Sequence, residues 1–102
     1  MTERDIQNAI LVAVTALPGA FFWRAQSGLS VTAARNVIRS NVPGCADIIG
    51  CLRGRAVAIE VKTASGRQSE SQRRFHAAWV AAGGAYLIGR SAEQVLRDLE
   101  PI

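Results

Sequence analysis

The chain has 102 residues, of which 49% are hydrophobic and 20% are charged, and this balance excludes an intrinsically disordered polymer. This length favours a single domain over residues 1–102 with a modest core. The formal net charge of +4 favours a polyanionic partner, with nucleic acid first and an anionic membrane second.

The first half of the chain predicts a helix, a strand and a loop. Thr2 is a typical N-cap, and an apolar stripe follows at spacings of three and four residues: Ile6, Ile10, Ala13 and Leu17. The Pro18-Gly19 pair ends this helix. Residues 20–23 have the composition of a short strand. Residues 26–43 have no clean period, so we expect a loop there, with room for a helical turn.

The second half predicts a hairpin followed by helix, strand and helix. Strand-like runs at 46–52 and 56–62 are joined by Arg53-Gly54-Arg55. A helix begins near Ser69, with its inner stripe at Gln72, Phe75, Trp79 and Ala82. A strand at 85–89 precedes a helix capped by Ser91 and Gln94, with Val95, Leu96 and Leu99 facing inward. The predicted order is α-β-β-β-α-β-α, an α/β fold with a small mixed sheet flanked by helices.

The remaining residue types limit other functions. Cys45, Cys51 and His76 are too few for a Cys/His zinc site, and we interpret the cysteines as small core residues in a reducing compartment. We interpret His76 as an exposed helical residue, and Phe75 and Trp79 as core rather than base-stacking residues. No apolar run is long enough to span a bilayer, so we expect no membrane association.

The hairpin carries the residues with chemistry. Glu60 and Lys62 alternate with Val57, Ile59 and Val61, so they share one face of the strand. A two-residue turn at Arg53-Gly54, or a four-residue loop closed by Cys51 and Ala56, places Asp47 directly opposite Glu60. Facing carboxylates repel each other unless a cation lies between them.

Hard cations such as Mg²⁺ prefer oxygen ligands. Asp47, Glu60 and the backbone carbonyl of Val61 could supply three, leaving positions for water and a substrate phosphate. Lys62 is the only lysine among twelve basic residues, and a compact ammonium there could orient the water or stabilise developing charge. The alternative is ordinary: a strand-end Asp47 that binds a loop, and a weak surface ion pair between Glu60 and Lys62.

The sequence resembles the VRR-NUC branch of the PD-(D/E)XK nucleases. Residues 43–50, PGCADIIG, look like the G-x-x-D-I-I-G strand of that family, and residues 58–63, AIEVKT, are similar to its E-V-K segment. Gln72 matches the glutamine that opens the next helix, Gly83-Gly84 the pair that closes it, and Glu3 an acidic residue on the first helix. Arg24 lies where the family often has an arginine after an aromatic strand. The valine-arginine-arginine signature is not evident.

The resemblance implies a restriction endonuclease-like fold and a DNA endonuclease that uses Mg²⁺, with Mn²⁺ as a substitute and no small-molecule cofactor. Asp47, Glu60, Lys62, Gln72 and Glu3 are the implied catalytic residues, with Glu3 reaching the metal through water. Stand-alone proteins of this kind are similar to Holliday-junction resolvases, act as homodimers, and are typical of phages acting in the bacterial cytoplasm. For Glu3 and Gln72 the alternative is a role in the first helical turn alone, in the helix dipole or a cap.

Five arginines are candidates for DNA phosphate binding: Arg24, Arg35, Arg39, Arg73 and Arg74. The alternative is a solvated face without a partner. The large hydrophobic share, together with Phe21, Phe22 and Trp23, also predicts a twofold homodimer. Two other functions stay open: a flap or branch-specific nuclease, and a non-catalytic DNA-binding module on the same fold.

Overall fold

The computed structural model describes residues 1–25, 29–31, 37–39 and 42–102, with the backbone alone at 29–31 and 37–39. It is a mixed α/β structure with nine elements among these residues. In chain order they are α1 (Glu3–Thr15), β1 (Ala20–Arg24), β2 (Leu29–Val31), β3 (Val37–Arg39), β4 (Ile48–Leu52), β5 (Arg55–Val61), α2 (Glu70–Ala81), β6 (Ala85–Gly89) and α3 (Ala92–Leu99).

The main sheet has four strands in the order β1-β4-β5-β6. Strands β1, β4 and β5 are antiparallel neighbours, while β6 is parallel to β5 and follows it through α2. The β4–β5 turn has positive φ at both Arg53 (49°) and Gly54 (86°), as a two-residue hairpin turn with the twist of its strands requires. Strands β2 and β3 form a separate two-stranded antiparallel sheet.

One face of the main sheet is covered by α1 and α3. Its strand residues are aliphatic and fully buried, among them Ile48, Leu52, Val57 and Ile59. They pack with the buried stripes of the two helices, formed by Ile6, Ile10, Val14, Val95 and Leu99. Burial of these side chains is the main source of the stability of the fold.

The opposite face carries α2, which packs against β6 with half-buried side chains only. Alternation along the strands places Phe21, Trp23, Ile49, Ala58 and Glu60 on this face. Phe21 and Trp23 are 72% and 50% exposed, so the β1 side of this face has an open apolar surface.

The predicted order of elements is wrong between β1 and β4. Residues 29–31 and 37–39 are strands, whereas the sequence predicted one loop from 26 to 43. Strands of three residues are too short to give a recognisable alternation, and they pair with each other rather than extending the main sheet.

Several side-chain predictions also need correction. Cys51 is exposed, since it faces away from the aliphatic core, while Cys45 is buried. Ala82 caps α2 and is exposed, because the half-buried stripe of that helix ends at Trp79. Phe22 is buried over the sheet, so it adds nothing to an outer apolar surface. The predicted N-caps Thr2 and Ser91 are confirmed, and the helix predicted to begin near Ser69 does so, with Ser69 as its N-cap. Among the described residues, no helix has the length and apolarity to cross a membrane.

Candidate active site

The predicted register of the hairpin is confirmed. Leu52 pairs with Arg55 and Ile48 with Ile59. One further step along the same pairing brings Asp47, the residue before β4, opposite Glu60. The two carboxylates therefore lie side by side at the edge where β4 begins and β5 ends.

Hydrogen bonds fix Asp47 from both sides. Its Oδ2 accepts from the backbone N–H of Val61 at 2.8 Å, and its carbonyl accepts from the N–H of Ala25 at 2.8 Å. In a strand, the N–H and C=O of one residue point the same way, so the Val61 carbonyl also points toward Asp47. The proposed third oxygen ligand is thus on the correct side of the strand.

Glu60 is a buried acid, only 2% exposed. Burial, first, and the neighbouring charge of Asp47 raise its pKa to about 9, against the opposing effect of Lys62. Its Oε2 accepts from Gln72 Nε2 at 3.0 Å. Its Oε1 is the one buried side-chain polar atom without a hydrogen-bond partner among the described residues. A buried oxygen of this kind needs either a proton or a cation.

Lys62 follows β5 and keeps the face of Glu60. Its Nζ lies 3.9 Å from Glu60 Oε2, and the side chain is 13% exposed. The backbone N–H of Lys62 donates to the Gly89 carbonyl at 3.0 Å, which fixes the end of the strand against β6. The only lysine of the chain is thus held at the site, beside the Glu60 carboxylate.

Gln72 is both a helix cap and a site residue, so the two interpretations of it are compatible. Its Oε1 accepts from the backbone N–H of Ser69 at 2.8 Å, closing a capping box, while its Nε2 donates to Glu60. The cap therefore fixes the amide that orients the Glu60 carboxylate.

Two glycines of the G-x-x-D-I-I-G segment have a packing explanation. Gly44 has φ +73°, and a Cβ there would lie 2.1 Å from the Ser71 carbonyl oxygen. The first turn of α2 therefore rests directly on Gly44, which brings Gln72 to Glu60. A Cβ on Gly50 would lie 2.3 Å from the Phe22 ring, so Gly50 admits β1 and its core aromatic residue.

Glu3 lies near the site but is not part of a ligand group. It is exposed on the first turn of α1, where it lines a cavity of about 230 Å³ with Arg4 and Gln7. Its charge contributes to raising the pKa of Glu60. Across the described ranges, no cluster of three His, Cys, Asp or Glu side chains is arranged to hold a metal. The role of Glu3 at a metal, including contact through water, stays a prediction.

The candidate DNA-binding arginines differ in their surroundings. Arg73 and Arg74 directly follow Gln72 on α2 and are exposed, and Arg74 pairs with Glu70 at 3.0 Å. Arg24 lies against α1 and donates to Gln7 and Asn8, which limits its freedom to bind phosphate. Arg35 lies outside the described residues, as does the side chain of Arg39.

The sequence did not predict two polar clusters, one between α2 and β6 and one at the loop after Lys62. His76 is half-buried rather than exposed, because its ring stacks on Tyr86 at 3.9 Å. The Gln68 amide nitrogen hydrogen-bonds with His76 Nδ1 and donates to the Tyr86 hydroxyl. Arg90 donates to carbonyls of the loop after Lys62, including Gly66 at 3.1 Å. Alternation along β6 could have placed Tyr86 on the face of Glu60, but no local signal identifies the Arg90 contact.

The residues present fit a hard divalent cation. Two carboxylates converge, one buried oxygen lacks a partner, and a backbone carbonyl points toward the same place. These are oxygen donors, the ligands that Mg²⁺ and Mn²⁺ accept, and they are too few to complete an octahedron. The remaining positions would be filled by water and by an anionic substrate.

Comparisons with protein-family models and with curated proteins find no match to this chain.

Proposed function

We propose that this protein is a divalent-metal-dependent DNA endonuclease with a restriction endonuclease-like core. The observation that carries the proposal is the Asp47–Glu60 pair with the orphaned Glu60 Oε1 and Lys62 at 3.9 Å. A non-catalytic DNA-binding module has no need of a buried carboxylate, whose pKa is raised to about 9, beside the only lysine.

Each residue has a distinct role in this proposal. Asp47, Glu60 and the Val61 carbonyl would hold the cation, which supplies a Lewis acid that neutralises phosphate charge and acidifies water. Gln72 fixes the Glu60 carboxylate through its 3.0 Å hydrogen bond. The Lys62 ammonium donates a proton or a hydrogen bond to the oxygen that gains charge at the scissile phosphate. Arg73 and Arg74 bind flanking phosphates.

The proposed substrate is branched DNA, with the four-way junction first and a flap as the alternative. Cleavage mapping on synthetic four-way junctions, flaps and plain duplex in Mg²⁺ tests this choice, with Glu60→Gln as the inactive variant and Glu70→Gln as the matched control. We expect paired symmetric cuts on the junction from wild type and from Glu70→Gln only. A protein that cuts none of the three substrates contradicts the nuclease proposal.

The proposed active unit is a homodimer acting in the cytoplasm of a bacterial cell, where it would present two sites to two equivalent strands. Sedimentation at micromolar protein, with and without a four-way junction, tests the assembly. A dimer on the junction is expected. A monomer in both conditions, with unpaired nicks, would contradict the resolvase assignment and favour the flap nuclease.

A further inference from the structure

An exposed aromatic pair lies beside the candidate active site and has no role in it. The Phe21 and Trp23 rings are 6.0 Å apart in an edge-to-face arrangement, and they are 72% and 50% exposed. Large apolar side chains exposed together on one surface mark a binding site more often than chance exposure does.

The strand register connects this pair to the site. Trp23 pairs with Ile49, which pairs with Ala58, and the next row on the same face contains Asp47 and Glu60. Two residues along a strand span about 7 Å, so the Trp23 row adjoins the carboxylate row. Phe21 lies one row further, beside Cys51 and Ala56. A DNA strand that runs from the carboxylates along this face toward β1 would pass over these rings.

The charges of this face suit a polyanion. Strands β1, β4 and β5 contain a single acidic residue, Glu60, which belongs to the site itself. Of the basic residues at their ends, Lys62 lies on this face, while Arg24 and Arg55 lie on the opposite one. Beyond the metal site, then, these strands present no carboxylate to repel a phosphate backbone.

A second copy of the chain is a poorer occupant. The two exposed rings offer on the order of 300 Å² together, whereas a specific interface takes roughly 800 Å² from each partner. A protein packed on the Trp23 row would also stand over the adjoining carboxylates, which a substrate phosphate must reach. One or two nucleobases match both the size and the access.

We infer that Phe21 and Trp23 form a stacking platform for unpaired bases next to the cleaved phosphodiester. The inference rests on the proposed nuclease function and adds a substrate feature to it, since unpaired bases occur at branch points and single-stranded ends but not within continuous duplex. Aromatic stacking of this kind is tolerant of sequence, so the platform recognises structure rather than a base order.

Binding measured in EDTA separates this inference from catalysis. The probes are a single-stranded oligonucleotide, a flap and a blunt duplex, and the variants are Trp23→Ala, Trp23→Phe and Val12→Ala. Val12 is the control because it is 72% exposed on α1, across the sheet from the site. We expect Trp23→Ala to lose about 5- to 150-fold in affinity for the single strand and the flap, with duplex binding changed less than about twofold. Trp23→Phe keeps most of the affinity, and Val12→Ala all of it.

Three outcomes would overturn the inference. Equal losses on all probes would show a general rather than a base-specific role, and unchanged affinity for every probe would show no role. Conversion of a dimer to a monomer by Trp23→Ala would identify a protein interface. If wild type cuts branched DNA and Trp23→Ala binds normally, the stacking platform is contradicted while the proposed nuclease function is retained. If wild type neither binds nor cuts DNA, the proposed function fails.

Discussion

The same strands form both faces of the four-stranded sheet, but the two faces have different roles. Beneath α1 and α3 the face is aliphatic, with Ile48, Val57 and Ile59 fully buried. Around α2 it holds a buried acid with an unpartnered oxygen, and beyond α2 it leaves two aromatic rings in solvent. The buried acid and the exposed aromatic rings both oppose stability. They are confined to one face because the other face supplies the hydrophobic burial that maintains the fold.

The largest expected effect of a substitution on the α2 face is at Lys62, the only lysine of the chain. Lys62→Arg keeps the positive charge but replaces a compact ammonium with a planar guanidinium. We expect cleavage to fall by about 10²- to 10⁴-fold, with DNA binding in EDTA retained. Near-normal turnover would mean that Lys62 acts only through its charge. Single-turnover cleavage of a labelled four-way junction measures the effect.

The next largest contrast is in DNA binding, between an arginine of α2, Arg73, and an arginine of α3 on the opposite face, Arg97. DNA affinity should fall steeply with salt as counterions are released, by about 100-fold between 50 and 200 mM for roughly four phosphate contacts. Arg73→Ala should weaken binding and reduce the salt slope by about one, while Arg97→Ala, an exposed change on α3, should alter neither. Equal effects of the two variants would show that binding is not restricted to the α2 face.

Gly44 and Gly54 both have positive φ, and comparing their alanine variants distinguishes the cost of backbone strain from the cost of displacing α2. Gly44→Ala adds a clash with the Ser71 carbonyl, whereas a Cβ on Gly54 meets nothing within 4 Å. We expect Gly54→Ala to cost about 1–2 kcal/mol, a fall in Tm of roughly 4–15 °C, and Gly44→Ala to cost about twice that. Only Gly44→Ala should also reduce cleavage, because it moves Gln72 away from Glu60. Thermal melts with parallel cleavage assays decide this, and equal activity in the two variants would contradict it.

Much of this arrangement was predictable from local pattern. The Arg53-Gly54 turn determines the hairpin register, and the register brings Asp47 to Glu60. The caps Thr2, Ser69 and Ser91 mark the helix starts, because Ser and Thr side chains satisfy free backbone N–H groups.

The rest depends on contacts distant in the chain. Strands β2 and β3 pair with each other, and neither is long enough to show a periodic pattern. The sequence therefore predicted a loop. The stacking of His76 on Tyr86 depends on where α2 crosses β6. The exposure of Cys51 and Trp23 follows from the limited extent of α2, which local alternation does not reveal.

A further contrast is the dependence of stability on pH. The ordinary pKa of Glu60, 4.5, is raised to about 9 in the fold. The folded state therefore holds this proton over a pH range where the unfolded chain has released it. The associated stability is complete below pH 4.5 and is lost as the pH rises toward 9.

Glu60→Gln removes this dependence. In EDTA the stability of the variant relative to wild type should rise steadily as the pH rises from 5 to 8. Glu70→Gln, an exposed change on α2, should follow wild type throughout. Calorimetry across this range tests the prediction, and a difference between Glu60→Gln and wild type that does not change with pH would contradict it.

Direct binding of Mn²⁺ tests the central claim that Asp47 and Glu60 form a cation site. Titration of Mn²⁺ followed by electron paramagnetic resonance should show saturable binding to wild type and to Glu70→Gln. Asp47→Asn should weaken that binding by at least about tenfold, because it removes one of two charged ligands. Undiminished binding in Asp47→Asn, or no saturable binding in wild type, would contradict the assignment of this carboxylate pair as a metal centre.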